Sequence, residues 1–387
     1  MNRRKFLKTS GMSVVCLYTC TPRRDSAYLR PTNKRFAHLE INGNYRDIGY
    51  ETGRVFKKNI NGIIKRRAGW HKGLMETLRS KKALKYSDKL LALAKRHFPK
   101  IIQEMEGIAD GAGIHFDSLW AMNIKSELGV IRSEPPGCSS IFVHNDKDMW
   151  LFHNEDGHTA YQNSMFTIKA SPPSGISYIA MVYPGIITGN GPSVNSRGIV
   201  QTTNYIGSVK SEIGIPRYII GRAILEAKDL EEAIQIATFE PRTYPYHHNI
   251  ISLSEKKYAS VETIPNISEI QYPGGLYCHT NHLLFDNTGQ FQNEDQEYKN
   301  SSSISRYTVI HERLESLDKN EVQQDDIFSI LSSHESKPYS PCRHPEEDVF
   351  GQTLGTAYID VNSGEFRLYK GNPCESVAKE RFVHLNF

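Results

Sequence analysis

The sequence predicts an α+β fold in which helices and strands occupy separate layers. Three observations predict it. Asp47 to about Leu128 carries helical periodicity, the chain beyond Cys138 switches to short β-branched and aromatic runs broken by turns, and two late helical stretches stand together before two closing strands. Strands in succession and helices in succession favour stacked layers over a doubly wound parallel sheet, in which the two must alternate.

The first helical portion includes IGYETGRVFKKNINGIIKR and DKLLALAKRHFPKIIQEMEGIADGAG, where Ile101, Ile102, Met105, Ile108 and Ala109 recur on one face and glycines close the run. Strand patterns follow in SSIFVHN, MWLFHNED, SMFTIKAS, SYIAMVYPG and GIVQTTNYI. One helical block, PRYIIGRAILEAKDLEEAIQIA, precedes two more strand patterns, HHNIISLS and KYASVETI. Helices are expected near Ser302 to Leu317 and Asp326 to Ser333, and the closing strands are LGTAYIDV and EFRLYKG. The polar stretch DNTGQFQNEDQEYKNSSS reads as a surface loop, and no internal repeat is visible.

With 387 residues, 39% of them hydrophobic, the chain has material for one large core. A net charge of +4 is small for this length, and the clusters Lys57 to Arg67 and Lys81 to Arg96 alternate with apolar residues at helical spacing. They read as solvated helix faces, so no nucleic-acid partner is expected. The chain opens MNRRKFLK, close to a twin-arginine export signal, and continues GMSVVCLYTC, too short an apolar run for the roughly 20 residues a bilayer span needs. LYTC resembles a lipoprotein box ending at Cys20. The expectation is a signal over residues 1–20, export to a bacterial periplasm, and a membrane tether through a lipidated cysteine.

Beyond the signal lie Cys138, Cys278, Cys342 and Cys374. An oxidising compartment permits disulfides, but spacing does not choose a pairing. No C-x-x-C pair occurs there, and His247-His248 and His279-Thr-Asn-His282 lack a closed set of zinc-ligand spacings, so neither a metal nor a cofactor is expected.

The stretch PPGCSSIFVHN places Cys138 behind Gly137 at the head of a strand. Glycine has no Cβ, so it permits a strained bend and leaves its carbonyl open to the neighbouring thiol. Cleavage there would free the α-amino group of Cys138, whose ordinary pKa of about 7.7 to 8.0 suits a general base. One residue would then be nucleophile and base together.

Around this junction the chain resembles the acyl-coenzyme A:isopenicillin N acyltransferase family of autoproteolytic N-terminal nucleophile cysteine hydrolases. The resemblance runs in order through YRDIGYETG, EMEGIADGAGIHFDSLWAMNIKSEL, the Gly-Cys junction, HNEDGH, GPSVNSRGIVQTTN, GIPRYIIGRAILEAKDLEEA, HTNH, SSISR and SSHESKPYSPCRH. It implies a four-layer αββα sandwich of two stacked antiparallel sheets covered by helices. It also implies one integrated domain, with residues 21–137 as a retained helical pro-segment and 138–387 as the catalytic chain. By the same resemblance Asp156, in HNED, lies beside Cys138 and orients it, Asn281 in HTNH stabilises the oxyanion, and Arg343 holds a polar or anionic end of the substrate. The family commonly carries an aromatic residue after the aspartate, where this chain has Gly157. Glu155, His153 and His158 read as structural or supporting groups, Arg306 as a helix-surface cation, and Glu262 has no assigned part.

The implied activity is hydrolysis or transfer of the acyl group of a small N-acyl amide through an acyl-Cys138 intermediate. Hydrolysis is favoured because water is abundant outside the cytoplasm. A bile-salt or penicillin-V type amidase shares the nucleophile but exposes its cysteine with little processing, and the long segment before Cys138 argues against it. A catalytically silent binding lipoprotein on the same fold is the alternative of a different class.

Overall fold

The computed structural model describes residues 26–32, 35–129, 137–207, 211–292, 301–346 and 350–385. The signal-like start falls outside them. A nine-stranded sheet has the order β1-β2-β5-β6-β7-β8-β9-β10-β11, in which β1 is Ser26–Leu29, β6 Tyr178–Val182, β7 Ser193–Asn195 and β11 Ile267–Gln271, and a six-stranded sheet has the order β12-β3-β4-β13-β14-β15, in which β14 is Glu365–Lys370 and β15 Phe382–His384. The strands that position the site are β2 (Ala37–Asn42), β3 (Cys138–His144), β4 (Met149–His158), β5 (Phe166–Ser171), β8 (Ile199–Tyr205), β9 (Tyr246–Ser252), β10 (Lys257–Ile264), β12 (Gly275–His279) and β13 (Gly351–Asp360). The pairing is antiparallel except between β2 and β5, which run parallel from Ala37 beside Phe166 to Asn42 beside Ser171. A parallel neighbour needs a long crossover, and the helices between residues 45 and 123 supply it.

The sheets face each other. Phe142 of β3 stacks on Tyr258 of β10 with ring centroids 3.9 Å apart, and Ser140 meets Asn204 of β8 at 3.0 Å. Successive strand residues alternate faces. In β9, His247 accordingly stacks on His279 at 3.5 Å across the sheets, while the neighbouring Tyr246 lies under the Arg217 guanidinium of a helix.

That helix, α7 (Arg217–Ile224), with α1 (Tyr45–Val55) and α5 (Pro99–Ala112), covers the nine-stranded sheet. On the other outer face Ile141, Val143, Trp150, Phe152 and Tyr358 pack against α10 (Ser302–Glu315) and α11 (Gln324–Leu331). The layers are therefore αββα. The block Pro216 to Ala237 divides in two because Asp229 caps a new helix, α8 (Leu230–Ala237), accepting from the Glu232 N–H at 2.8 Å. Cys138, Cys278, Cys342 and Cys374 are all free thiols.

Candidate active site

Cys138 begins β3 and lies directly opposite Glu155 of β4. Opposed residues of an antiparallel pair project on the same face. The Cys138 thiol accordingly donates to Glu155 Oε1 at 3.6 Å, and Tyr183 donates its hydroxyl to the same oxygen at 2.6 Å. Glu155 Oε2 meets His153 Nε2 at 3.2 Å, whose Nδ1 meets Ser140 Oγ at 2.8 Å. Asp156, one residue on, presents its carboxylate to the other face, where Oδ1 accepts from the Thr353 hydroxyl at 2.7 Å. Its backbone N–H donates to the Gly137 carbonyl at 2.8 Å.

Asn281 follows β12. Its Oδ1 accepts from the Cys138 backbone N–H at 2.9 Å and from Arg306 Nη2 at 2.7 Å, and its Nδ2 donates to the Tyr205 carbonyl at 2.8 Å. The side-chain oxygen, not the amide nitrogen, thus faces Cys138 in the unbroken chain. The loop is pinned from below by Glu262, fully buried, which meets His279 Nε2 at 2.8 Å and accepts the Leu284 N–H at 2.7 Å. Arg306 is no surface cation. Helix α10 turns it inward, 1% exposed, where Nη1 donates to the Cys138 carbonyl at 2.6 Å and to Ser139 Oγ at 2.9 Å.

Arg343 is buried and enters from the other side. A Cβ placed on Gly137 would lie 2.9 Å from Arg343 Nη1, 3.0 Å from Arg306 Nη2 and 3.1 Å from Asp156 Oδ2, so a side chain there would press on the tips of these three charged groups. Among the described residues, Asp156 Oδ2 and Arg343 Nε have no hydrogen-bond partner although both are buried. A Cβ at Gly157 would be 3.1 Å from the Tyr183 ring, so Tyr183 fills the space next to the aspartate from the end of a strand in the facing sheet. His158, by contrast, accepts the Ala160 N–H at 2.9 Å and caps a turn.

Burial pushes the Cys138 thiol well above its ordinary range. The Glu155 and Asp156 carboxylates push in the same direction, against the Asp156 N–H and the Arg306 cation. Burial likewise raises Asp156 to about 6, opposed by Arg343, Arg306 and the Thr353 hydroxyl. The resting thiol is therefore neutral, and it becomes a nucleophile only as a neighbouring base takes its proton.

Sequence reasoning brings Gly137, Cys138, Asp156, Asn281 and Arg343 to one place, and the structure adds Glu155, Arg306 and Tyr183. For Arg306 the signal is its spacing, since it shares the buried stripe of α10 with Val309, Ile310 and Leu314. Tyr183 had none, because it lies just past the end of β6 (Tyr178–Val182).

Two stacked sheets between helical layers, with a buried thiol opening an inner strand, define an amide hydrolase or acyltransferase of the N-terminal nucleophile type. The chain belongs to the acyl-coenzyme A:6-aminopenicillanic acid acyl-transferase family, whose profile matches residues 143–375. That match takes in Asp156, Asn281 and Arg343 and begins after Cys138, whose assignment rests on the geometry above. A beta-alanyl-dopamine/carcinine hydrolase of Drosophila melanogaster is 24% identical over 387 residues, spanning 91% of this chain and 97% of that protein. Two solved variants of conjugated bile acid hydrolase from Clostridium perfringens align at 14% identity and a TM-score of 0.40, over 60% and 65% of this chain and 89% and 97% of theirs.

Proposed function

We propose that this chain cuts its own Gly137–Cys138 bond and then hydrolyses small N-acyl amides through an acyl-Cys138 intermediate. The observation that carries the reading is the set of groups around that one peptide bond: the thiol on Glu155, the Gly137 carbonyl on the Asp156 N–H, and the Cys138 nitrogen on Asn281. Glu155 takes the thiol proton, and Sγ attacks the Gly137 carbonyl, whose developing oxyanion the Asp156 N–H stabilises. The C–N bond breaks as its nitrogen takes up the proton, leaving a Gly137 thioester on Cys138. Water hydrolyses the thioester to a Gly137 carboxylate and a free thiol.

In turnover the freed α-amine is the base. The thiol attacks the substrate carbonyl, the amine product leaves, and water releases the acid. Asn281 has two amide N–H groups, of which the Tyr205 carbonyl takes one, leaving the other for the oxyanion. Arg343, whose buried Nε has no hydrogen-bond partner among the described residues, receives a polar or anionic group of the substrate. Likeness to the beta-alanyl-dopamine/carcinine hydrolase favours hydrolysis over transfer and a small amine as the leaving group. Export with lipidation at Cys20 belongs to the same proposal; replacing Arg3 and Arg4 by Lys should block export without blocking cleavage.

The test is an intact-mass spectrum of denatured protein. Two chains are expected, the second running from Cys138 to Phe387, and Cys138→Ala should give one uncut, inactive chain. A single chain beginning upstream of Cys138 in a preparation that still hydrolyses amides would sink the mechanism.

A further inference from the structure

Around the sequence neighbours of Arg343 four ligand-type side chains converge. His344 Nε2 lies 3.6 Å from Cys342 Sγ and 3.3 Å from Cys374 Sγ, and the His334 and His344 rings meet edge to face with centroids 4.9 Å apart. One ligand atom from each of the four lies within 4.8 Å of all the others. Tetrahedral zinc, with Zn–S of about 2.3 Å and Zn–N of about 2.0 to 2.1 Å, sets its ligand atoms roughly 3.3 to 3.8 Å apart, so the cluster needs only a small contraction.

The fold builds this cluster from separate segments. The Cys342 N–H donates to the Ser333 carbonyl at 3.0 Å, folding the loop after α11 back so that His334 comes beside Cys342. Cys374 arrives on the short helix α12 (Pro373–Ser376). Asn372 Nδ2 donates to Cys342 Sγ at 3.5 Å, an outer partner of the kind that orients a metal thiolate, and also to the Arg343 carbonyl at 2.6 Å. The set holds no carboxylate, and two sulfurs with two imidazoles suit a borderline-soft cation better than calcium or magnesium.

We propose that His334, Cys342, His344 and Cys374 bind one zinc ion that fixes the segment carrying Arg343. Two ligands, Cys342 and His344, flank Arg343 in sequence, and Arg343 reaches Gly137, where a Cβ would lie 2.9 Å from its Nη1. Binding displaces one proton from each thiol and leaves zinc with two thiolates and two neutral imidazoles. All four positions are filled by protein, so the ion carries no reactive water and its part is structural. Sequence spacing hides the site because its ligands are split between the loop after α11 and the short helix α12.

The experiment uses full-length processed protein under reducing conditions. As isolated it should carry about one zinc per chain; after chelation, one equivalent of Co²⁺ should give the absorption of tetrahedral cobalt thiolate. Cys374→Ser should abolish that absorption, and His334→Ala should weaken zinc binding more than the roughly 10-fold to 100-fold cost of losing an outer partner. Cys278→Ser, remote from the cluster, should leave both unchanged. Reduced protein that takes up no Co²⁺, absorption that survives Cys374→Ser, or native protein whose Cys342 and Cys374 are joined to each other as a disulfide would overturn the proposal.

Discussion

Glu155 and Asp156 are adjacent carboxylates with different surroundings, and the alternation of one strand separates their tasks. Glu155 touches the thiol; Asp156 faces Arg343 and Arg306 and accepts from Thr353. A general base contributes about 100-fold to 10,000-fold, so Glu155→Gln should slow self-cleavage by that order while leaving a folded chain, measured as the rate of appearance of the two-chain form. Asp156 should show in the pH profile. With its folded pKa near 6 it is ionised above that pH and protonated below, where Arg343 and Arg306 face each other without the anion. Self-cleavage should therefore rise through about pH 6, and Asp156→Asn should flatten that limb. Turnover should show a second rise as the Cys138 amine loses its proton, near its ordinary pKa of about 7.7 to 8.0. A self-cleavage profile with the same second rise would count against the amine as the base.

Helices α1 and α5 meet through glycines on both partners. A Cβ on Gly49 would sit 1.9 Å from the Glu104 carbonyl oxygen, on Gly53 2.2 Å from that of Ile108, on Gly107 2.2 Å from that of Arg46, and on Gly111 2.0 Å from that of Tyr50. The backbones touch, so Gly53→Ala or Gly107→Ala must push the helices apart, at about 1 to 3 kcal/mol for overpacking of this kind. A matching fall in thermal midpoint is expected; unchanged midpoints would mean the helices are not packed this closely. The sequence shows these glycines in IGYETG and EGIADG, four apart each time, but spacing alone reads them only as helix punctuation. The same limit applies to the strands. β2 alternates Ala37, Leu39 and Ile41 inward and was open to detection, yet it is six residues long and precedes a far longer helical run. Its parallel partner lies more than a hundred residues away and leaves no local mark. Strands after Cys138 are legible because burial on one or both faces fills them with β-branched and aromatic residues. Arg306 and Glu262, charged yet buried, run against the usual rule that such residues are solvated, and only their partners reveal why they are inside.

At the scale of the whole molecule, a cut before Cys138 would divide the covalent chain without dividing the fold. The segment ahead of the cut supplies β2 to the interior of the nine-stranded sheet. Its Asn123 accepts the Ile187 N–H at 2.8 Å and donates to the Gly185 carbonyl at 2.9 Å, and its Tyr45 donates to Glu226 at 2.6 Å. Glu104 of α5 holds Arg222 of α7 at 2.8 Å, both fully buried. Separation would expose the apolar faces of these helices at about 25 cal/mol per Å², and would break the buried Glu104–Arg222 pair besides. The two products should therefore migrate as one particle in size exclusion and part only in denaturant. Glu104→Ala tests the coupling: removing one partner of a buried pair costs at most about 3 to 5 kcal/mol, and less here because Arg222 keeps Glu226, 3.0 Å from its Nη1. Chains of this variant should separate, or unfold together, at lower denaturant than the parent, whereas Glu106→Ala, at a half-buried neighbour on the same helix paired with the exposed Arg46 and Lys95, should shift the midpoint by less than about 1 kcal/mol. If a chain beginning at Cys138, expressed alone, folds and hydrolyses amides as fast as the processed enzyme, the preceding segment is not part of the working fold.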